Sequence, residues 1–215
     1  MKVGILGSGD VGQALGRGFA RHGHDVLIGS RDPTSDKLAL WKASIGSNAH
    51  VGSFADAAQF GEIVLVATHG AATEDALDLA GPKHFDGKLV LDVSNPLDFS
   101  RGMPPGLLFG TTDSLGERVQ RKLATAKVVK CFNTVSNIQM IDPKFTAGVP
   151  PMLICGNDAD AKKRTETILR ELGWTSGALD VGGIDGSRWL EALVPLWVRA
   201  GVALNTWTLA FRPVT

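Results

Sequence analysis

Gly7, Gly9 and Gly12 stand in a G-x-G-x-x-G spacing near the start of the chain. They follow Lys2-Val3-Gly4-Ile5-Leu6, which reads as a strand, and precede a helical stretch that ends near His22-Gly23. A second strand, Asp25-Val26-Leu27-Ile28, runs into Gly29-Ser30-Arg31. Gly7 permits a tight turn off the strand, Gly9 leaves room for backbone to approach a pyrophosphate, and Gly12 allows close helix–strand packing. The free N–H groups and positive dipole end of the helix then face phosphate. The glycine spacing alone is weak. Its place between a strand and a helix, with a second strand at the right distance, points to a dinucleotide. The alternative is a glycine-rich turn in some other α/β domain.

The end of the second strand selects among dinucleotides. An Asp or Glu there would accept from both ribose hydroxyls and repel a 2′-phosphate. Here Ser30 can donate a hydrogen bond, and Arg31 offers a planar fork of donors that suits a phosphate. The expected cofactor is therefore NADP rather than NAD. Lys37, at the start of the next helix, can add positive charge, although exposed lysines are common. Asp32 would oppose a phosphate, but Pro33 suggests that it turns away to start a helix.

The elements that must position these residues alternate in the βαβ manner. Helices are expected over 36–45, 54–60, 72–80, 114–124 and 158–172. Strands are expected over 50–52, 62–68, 88–93, 127–132, 152–155 and 178–181. The runs at 62–68 and 88–93 are apolar throughout, as for central parallel strands covered on both faces. Residues 97–110 and 133–151 read as loops. The segment 187–211 holds Trp189, Trp197 and Trp207 and is apolar nearly all the way round, so it should be buried on more than one side. Glu191, Pro195, Arg199 and Asn205 argue against a membrane span. The expected role is a helix that covers the sheet edge and forms a homodimer interface. The fold class is α/β: a Rossmann-type doubly wound, mostly parallel sheet with a C-terminal apolar helix. The division is a dinucleotide-binding domain over 1–182 and a helical extension over 183–215.

Composition narrows the function further. The 215 residues suit one domain, or one plus an appendage, and the 22 basic and 22 acidic residues balance. That balance gives no hint of nucleic acid or membrane partners. The basic run Arg118, Arg121, Lys122, Lys127 and Lys130 reads as solvated surface without a binding role. Cys131 and Cys155 lie in apolar strand-like segments and fit free buried thiols in a reducing compartment. With no signal peptide before the first strand, a cytoplasmic location is expected.

In a doubly wound sheet, ligands lie at the carboxyl ends of the strands. Besides the glycine loop and Ser30-Arg31, that rule selects Thr68-His69, Ser94-Asn95-Pro96 and Asn133-Thr134. Thr68 and His69 would meet ribose or phosphate. Ser94-Asn95-Pro96 would lie near a nicotinamide, with Pro96 stiffening the loop. Carbonyl reduction needs a proton donor, and the chain has no tyrosine. His69 is the only histidine expected at that edge. About 60 residues after the seventh strand leave no room for a large substrate domain. A flat redox ring that takes hydride directly needs neither; proximity and orientation suffice. No catalytic side chain and no metal ligand is assigned.

At this point the residues resemble a family, the NADPH-dependent reductases of the deazaflavin coenzyme F420. The similar segments are Lys2 to Gly12, Gly29-Ser30-Arg31, the Thr68 strand end, Ser94-Asn95-Pro96, Lys130-Cys131-Phe132-Asn133-Thr134 and Asp180-Val181-Gly182-Gly183. The resemblance implies that Ser8, Gly9, Asp10, Val11, Ser30, Arg31 and Lys37 bind NADP. It also implies a deazaflavin over the nicotinamide, between the loops and the last helix, in a dimer. Phe132-Asn133-Thr134 is also similar to the cytosolic domain of membrane ferrireductases, where the acceptor is a flavin (FAD or FMN). Two other readings stay open: a non-catalytic NADP-binding redox sensor, and an imine or carbonyl reductase with His69 as acid.

Overall fold

The computed structural model describes residues 1–214; Thr215, the last residue of the expected extension, lies outside them. The chain begins β1 (Lys2–Leu6), α1 (Asp10–Arg21), β2 (Asp25–Gly29), α2 (Asp36–Ile45), β3 (Ala49–Gly52), α3 (Phe54–Phe60), β4 (Ile63–Val66), α4 (Thr73–Ala80) and β5 (Leu89–Asp92). It continues with β6 (Leu97–Asp98), β7 (Gly106–Leu107), α5 (Leu115–Lys122), β8 (Lys127–Lys130), β9 (Met152–Gly156), α6 (Ala159–Glu171), β10 (Ala178–Asp180) and α7 (Ser187–Leu204). Local chemistry sets several boundaries. Ser53 and Asp56 form a reciprocal capping box that starts α3. Asp158 accepts the Ala161 N–H at 2.7 Å and starts α6.

Eight strands form one sheet in the order β10-β9-β8-β5-β4-β1-β2-β3. The fold is a Rossmann-like α/β fold. Every neighbouring pair in this sheet is parallel except β8–β9. β4 and β5 are wholly buried, as their apolar runs require. Leu15, Phe19, Trp41 and Leu169 bring α1, α2 and α6 onto one apolar core. Phe54, Leu77 and Val119 bring α3, α4 and α5 onto the other. From β1 the chain winds outward through β2 and β3, then crosses to β4 on the other side of β1. The crevice for a ligand is expected at that switch, between the ends of β1 and β4.

Two expectations need correction. The segment 97–110 is not plain loop: β6 and β7 form an antiparallel ribbon, Leu97 against Leu107. Its prolines and glycines hid two short strands. The last helix is neither buried all round nor laid on the sheet edge. It packs on α5, on β7 and on the 184–186 turn. It buries Leu190, Glu191, Val194 and Val198, while Trp189, Leu196, Val202 and Leu204 stay exposed. It ends at Asn205, in a left-handed conformation at φ 48°, rather than near Phe211. Trp207 then folds back against Trp197, with ring centroids 5.7 Å apart. Among the described residues, no helix is long and apolar enough to cross a membrane.

Candidate functional site

The turn after β1 is built as its glycines suggest, with one refinement. Gly7 has φ 121°, which disfavours any side chain, and a Cβ there would run into the Ala67 carbonyl. A Cβ on Gly12 would strike the Gly7 carbonyl oxygen, so this glycine serves the turn itself more than the strand. At Gly9 a Cβ would meet nothing within 4 Å. The freedom there is toward open space. Gly9 is also the N-cap of α1, and no side chain caps that end. The first N–H groups of a twelve-residue helix therefore point out of the protein. Gln13 steadies the turn by donating from Nε2 to the Ser8 carbonyl at 2.9 Å.

A cavity of about 460 Å³ opens there, at the topological switch. Gly7, Ser8, Gly9, Ser30, Arg31, Thr68 and His69 line it. Phe54, Ala76 and Leu79 add an apolar wall that sequence reasoning missed. A cavity of similar size, about 480 Å³, lies elsewhere, between α1, α2 and residues 137–141. It contains none of the carboxyl-edge loops. The first cavity fits a dinucleotide: uncapped helix N–H groups, open space at Gly9 and a cation at the end of β2.

The residues around β2 are arranged for an anion. Arg31 is exposed, and among the described residues no carboxylate lies within ion-pair distance of it. Asp32, expected to turn away, still lines the cavity, as does Asp75; its Oδ1 accepts from the Thr34 N–H at 3.2 Å and hydroxyl at 2.8 Å. Ser30 is buried, and its Oγ accepts the Asp32 N–H at 3.1 Å and lies 3.2 Å from Ser8 Oγ. Lys37 is held by Asp10, 3.2 Å from Nζ to Oδ1. That exposed pair joins two expected site residues.

The other strand ends divide. Thr68 Oγ1 lies 2.9 Å from Thr73 Oγ1, and His69 is exposed with its ring 6.4 Å from that of Phe99. Ser94, Asn95, Pro96, Asn133 and Thr134 do not line the cavity. The 94–96 loop abuts it instead: a Cβ on Gly70 would overlap the Asn95 carbonyl. Asn95 donates from Nδ2 to the Asn133 carbonyl at 2.9 Å, and Asn133 Nδ2 donates back to Asn95 Oδ1 at 3.0 Å. Asn133 also donates to the Leu190 carbonyl of α7 at 3.0 Å, while its own Oδ1 is buried without a partner. Ser94 is turned inward, its hydroxyl donating to Asp92 Oδ1 at 2.5 Å.

Behind these loops sits a cluster that sequence reasoning did not find. Lys130 is not part of a solvated basic face; it is fully buried. Its ammonium lies 2.8 Å from Asp92 Oδ2 and 2.7 Å from Glu191 Oε1. Burial acts to lower its pKa, but Asp92 and then Glu191 outweigh that and hold it above the ordinary lysine value. The sheet register brings the pair together: the apolar central strand that ends in Asp92 lies against Lys130. Cys131 and Cys155 are free and buried, and burial raises both thiols, Cys155 to about 11.

With this geometry in place, comparison with known proteins is specific. The profile described as "NADP oxidoreductase coenzyme F420-dependent" matches residues 2–96. A crystal structure of a protein from Arthrobacter sp. FB24, provisionally described as an F420-dependent NADP-reductase, is 40% identical over the whole of both chains with a TM-score of 0.95.

The chain belongs to the F420-dependent NADP oxidoreductase family.

The family and the relatives that match along all or nearly all of their length are described as NADP oxidoreductases or reductases. The F420-dependent NADP reductase of Methanothermobacter marburgensis is 26% identical over 94% of this chain and 93% of its own. The metalloreductase STEAP3 of Rattus norvegicus is 31% identical over 91% of this chain. This chain spans only 38% of that protein's length.

Proposed function

We propose that the chain reduces a flat ring acceptor, a deazaflavin of the F420 type, with NADPH held in the crevice between β1 and β4. The observation that carries the reading is the cavity wall where the uncapped start of α1 and the unpaired Arg31 face the same space. In it, Ser8, Gly9, Asp10 and Val11 supply backbone N–H groups to the pyrophosphate. Ser30 and Arg31 take the 2′-phosphate, and Lys37 joins them by releasing Asp10. Thr68 and His69 bound the ribose. Ser94-Asn95-Pro96 and Asn133-Thr134 form the rigid floor on the nicotinamide side. NADPH bound there supplies hydride from its nicotinamide ring, leaving NADP⁺, and a solvent proton balances reduction of the acceptor. The residues bind, orient and exclude water; none has to move a proton.

Residues 1–182 act in this reading as the dinucleotide-binding domain. The extension from 183 walls the acceptor side, and the bare face of α7 meets a second copy in a homodimer.

The likeness to the metalloreductase favours a second acceptor, a flavin that passes electrons on to ferric ion. One assay separates the readings: NADPH oxidation followed with F420, FMN, FAD and ferric chelates. Turnover with F420 alone supports the deazaflavin. Turnover with flavin supports the second reading. Tight NADPH binding with no turnover makes the chain a redox-sensing module.

A further inference from the structure

The buried Lys130 ammonium has three close polar partners. It donates to Asp92 Oδ2 at 2.8 Å and to the Ser94 carbonyl at 2.6 Å, and forms an ion pair with Glu191 Oε1 at 2.7 Å. The carboxylates are as fully engaged. Asp92 Oδ1 accepts the Ser94 N–H at 3.0 Å as well as the Ser94 hydroxyl. Glu191 accepts the Leu115 and Gly116 N–H groups at the start of α5, both at 2.9 Å. That helix end offsets part of the surplus negative charge. The cluster is closed to solvent.

A buried cluster of two carboxylates and one ammonium is seldom the most stable filling for such a space; apolar side chains of the same volume often do as well. What it supplies is a fixed geometry. It joins β5, β8, α5 and α7 at one point. A second tether runs beside it: Asn133 Nδ2 bridges Asn95 Oδ1 and the Leu190 carbonyl, each at 3.0 Å. Adjacent residues of α7, Leu190 and Glu191, are thus linked through Asn133 and Lys130 to adjacent residues of one loop, Asn95 and Ser94. Between the two tethers Phe132 is buried at φ 64°, a left-handed conformation that a bulky residue keeps only when its surroundings enforce it.

We propose that Lys130, Asp92 and Glu191 are positioning residues that hold α7 at a fixed distance from the Ser94–Pro96 loop and so set the gap between nicotinamide and acceptor ring. The proposal rests on the hydride-transfer reading above. It assigns these residues to the acceptor geometry and not to NADPH affinity, because none of them lines the cavity beside the glycine turn. A displacement of about 1 Å at a reacting centre costs on the order of a hundredfold in rate.

The test uses the whole chain with Glu191→Gln, which keeps the side chain's size but weakens its hold on Lys130, and with Lys130→Met as the stronger perturbation. The expected result for Glu191→Gln is an NADPH dissociation constant within about twofold of wild type, with single-turnover hydride transfer slowed at least about tenfold. The deuterium isotope effect from 4-deuterated NADPH should rise as transfer becomes slower than the other steps. Amide hydrogen exchange at Ser94 and Asn95 should accelerate together with that of α7. If Lys130→Met fails to fold, Glu191→Gln decides. An unchanged transfer rate in a folded Glu191→Gln protein overturns the proposal, as does loss of NADPH affinity in parallel with rate. Should the wild type reduce no acceptor, the function reading fails by itself. Exchange then decides the coupling, and unchanged protection at Ser94 and Asn95 in Glu191→Gln overturns it.

Discussion

Replacing Arg31 with alanine removes a positive charge at the end of β2 that lines the cavity and, among the described residues, has no carboxylate within ion-pair distance. The structure sets the size of the effect. Lys37 is already engaged by Asp10 at 3.2 Å, and Ser30 shares its hydroxyl with Asp32 and Ser8. Arg31 should therefore carry most of the discrimination for a 2′-phosphate. A charge-assisted hydrogen bond contributes about 1.5–3 kcal/mol. Arg31 is exposed, so solvent and salt place the loss nearer the lower end. At 1.4 kcal/mol per tenfold, NADPH should bind about 10–30-fold more weakly to Arg31→Ala. NADH lacks the phosphate and should lose less than about threefold. Fluorescence or calorimetric titration of both cofactors at low and high salt reads this. The NADPH deficit should shrink as salt rises, because the lost contact is between charges. Equal losses for NADPH and NADH would refute the 2′-phosphate role.

Other outcomes follow from the same geometry. Gly12→Ala drives a methyl group into the Gly7 carbonyl, so it should cost about 1–3 kcal/mol of stability in denaturant unfolding and weaken NADPH binding as the turn shifts. His69→Ala should weaken NADPH binding but leave hydride transfer from bound NADPH to a ring acceptor nearly unchanged, since His69 lines the cofactor cavity and moves no proton; a loss of about a hundredfold in the transfer step would restore an acid role for it. Glu117 is held below its ordinary value of about 4.5, chiefly by Arg188, which donates to it at 2.8 and 2.6 Å. Its folded value lies below the unfolded one, so this clamp between α5 and α7 is complete above about pH 4.5 and is lost as pH falls through the folded value. Tryptophan fluorescence of α7 should change in that acid range, and Glu117→Gln should remove the change. Cys155, with its thiol raised to about 11, should resist thiol reagents at neutral pH until the protein unfolds.

How much the sequence disclosed depended on whether the signal was local. The Asp158 cap and the glycine turn after β1 are written within a few residues, and α2 and α3 fall where the pattern puts them. The direction of β9 was not legible, because the long 131–151 connection does not say whether the chain returns parallel or antiparallel. The ribbon β6–β7 was hidden by a composition that suits turns equally well. The Lys130 cluster joins residues up to 99 apart in sequence, Asp92 to Glu191, and only the sheet register brings them together. A lysine in a basic run looks like surface until its strand is known to be central. Ser94 and Asn133 were correctly placed at the strand ends, but their partners are protein groups rather than open cavity. The last helix looked buried because its composition is apolar; the structure covers one face only.

The proposed reaction is hydride transfer from NADPH to a flat ring at this crevice. Its most direct measurement is anaerobic stopped-flow mixing of the protein and 4-deuterated NADPH with oxidised F420, followed by mass analysis of the acceptor. One NADPH should be oxidised per F420 reduced, with deuterium from one face of the nicotinamide recovered on the deazaflavin ring. Deuterium lost to solvent, or bound NADPH that remains unoxidised with F420, FMN, FAD and ferric chelates alike, would contradict it.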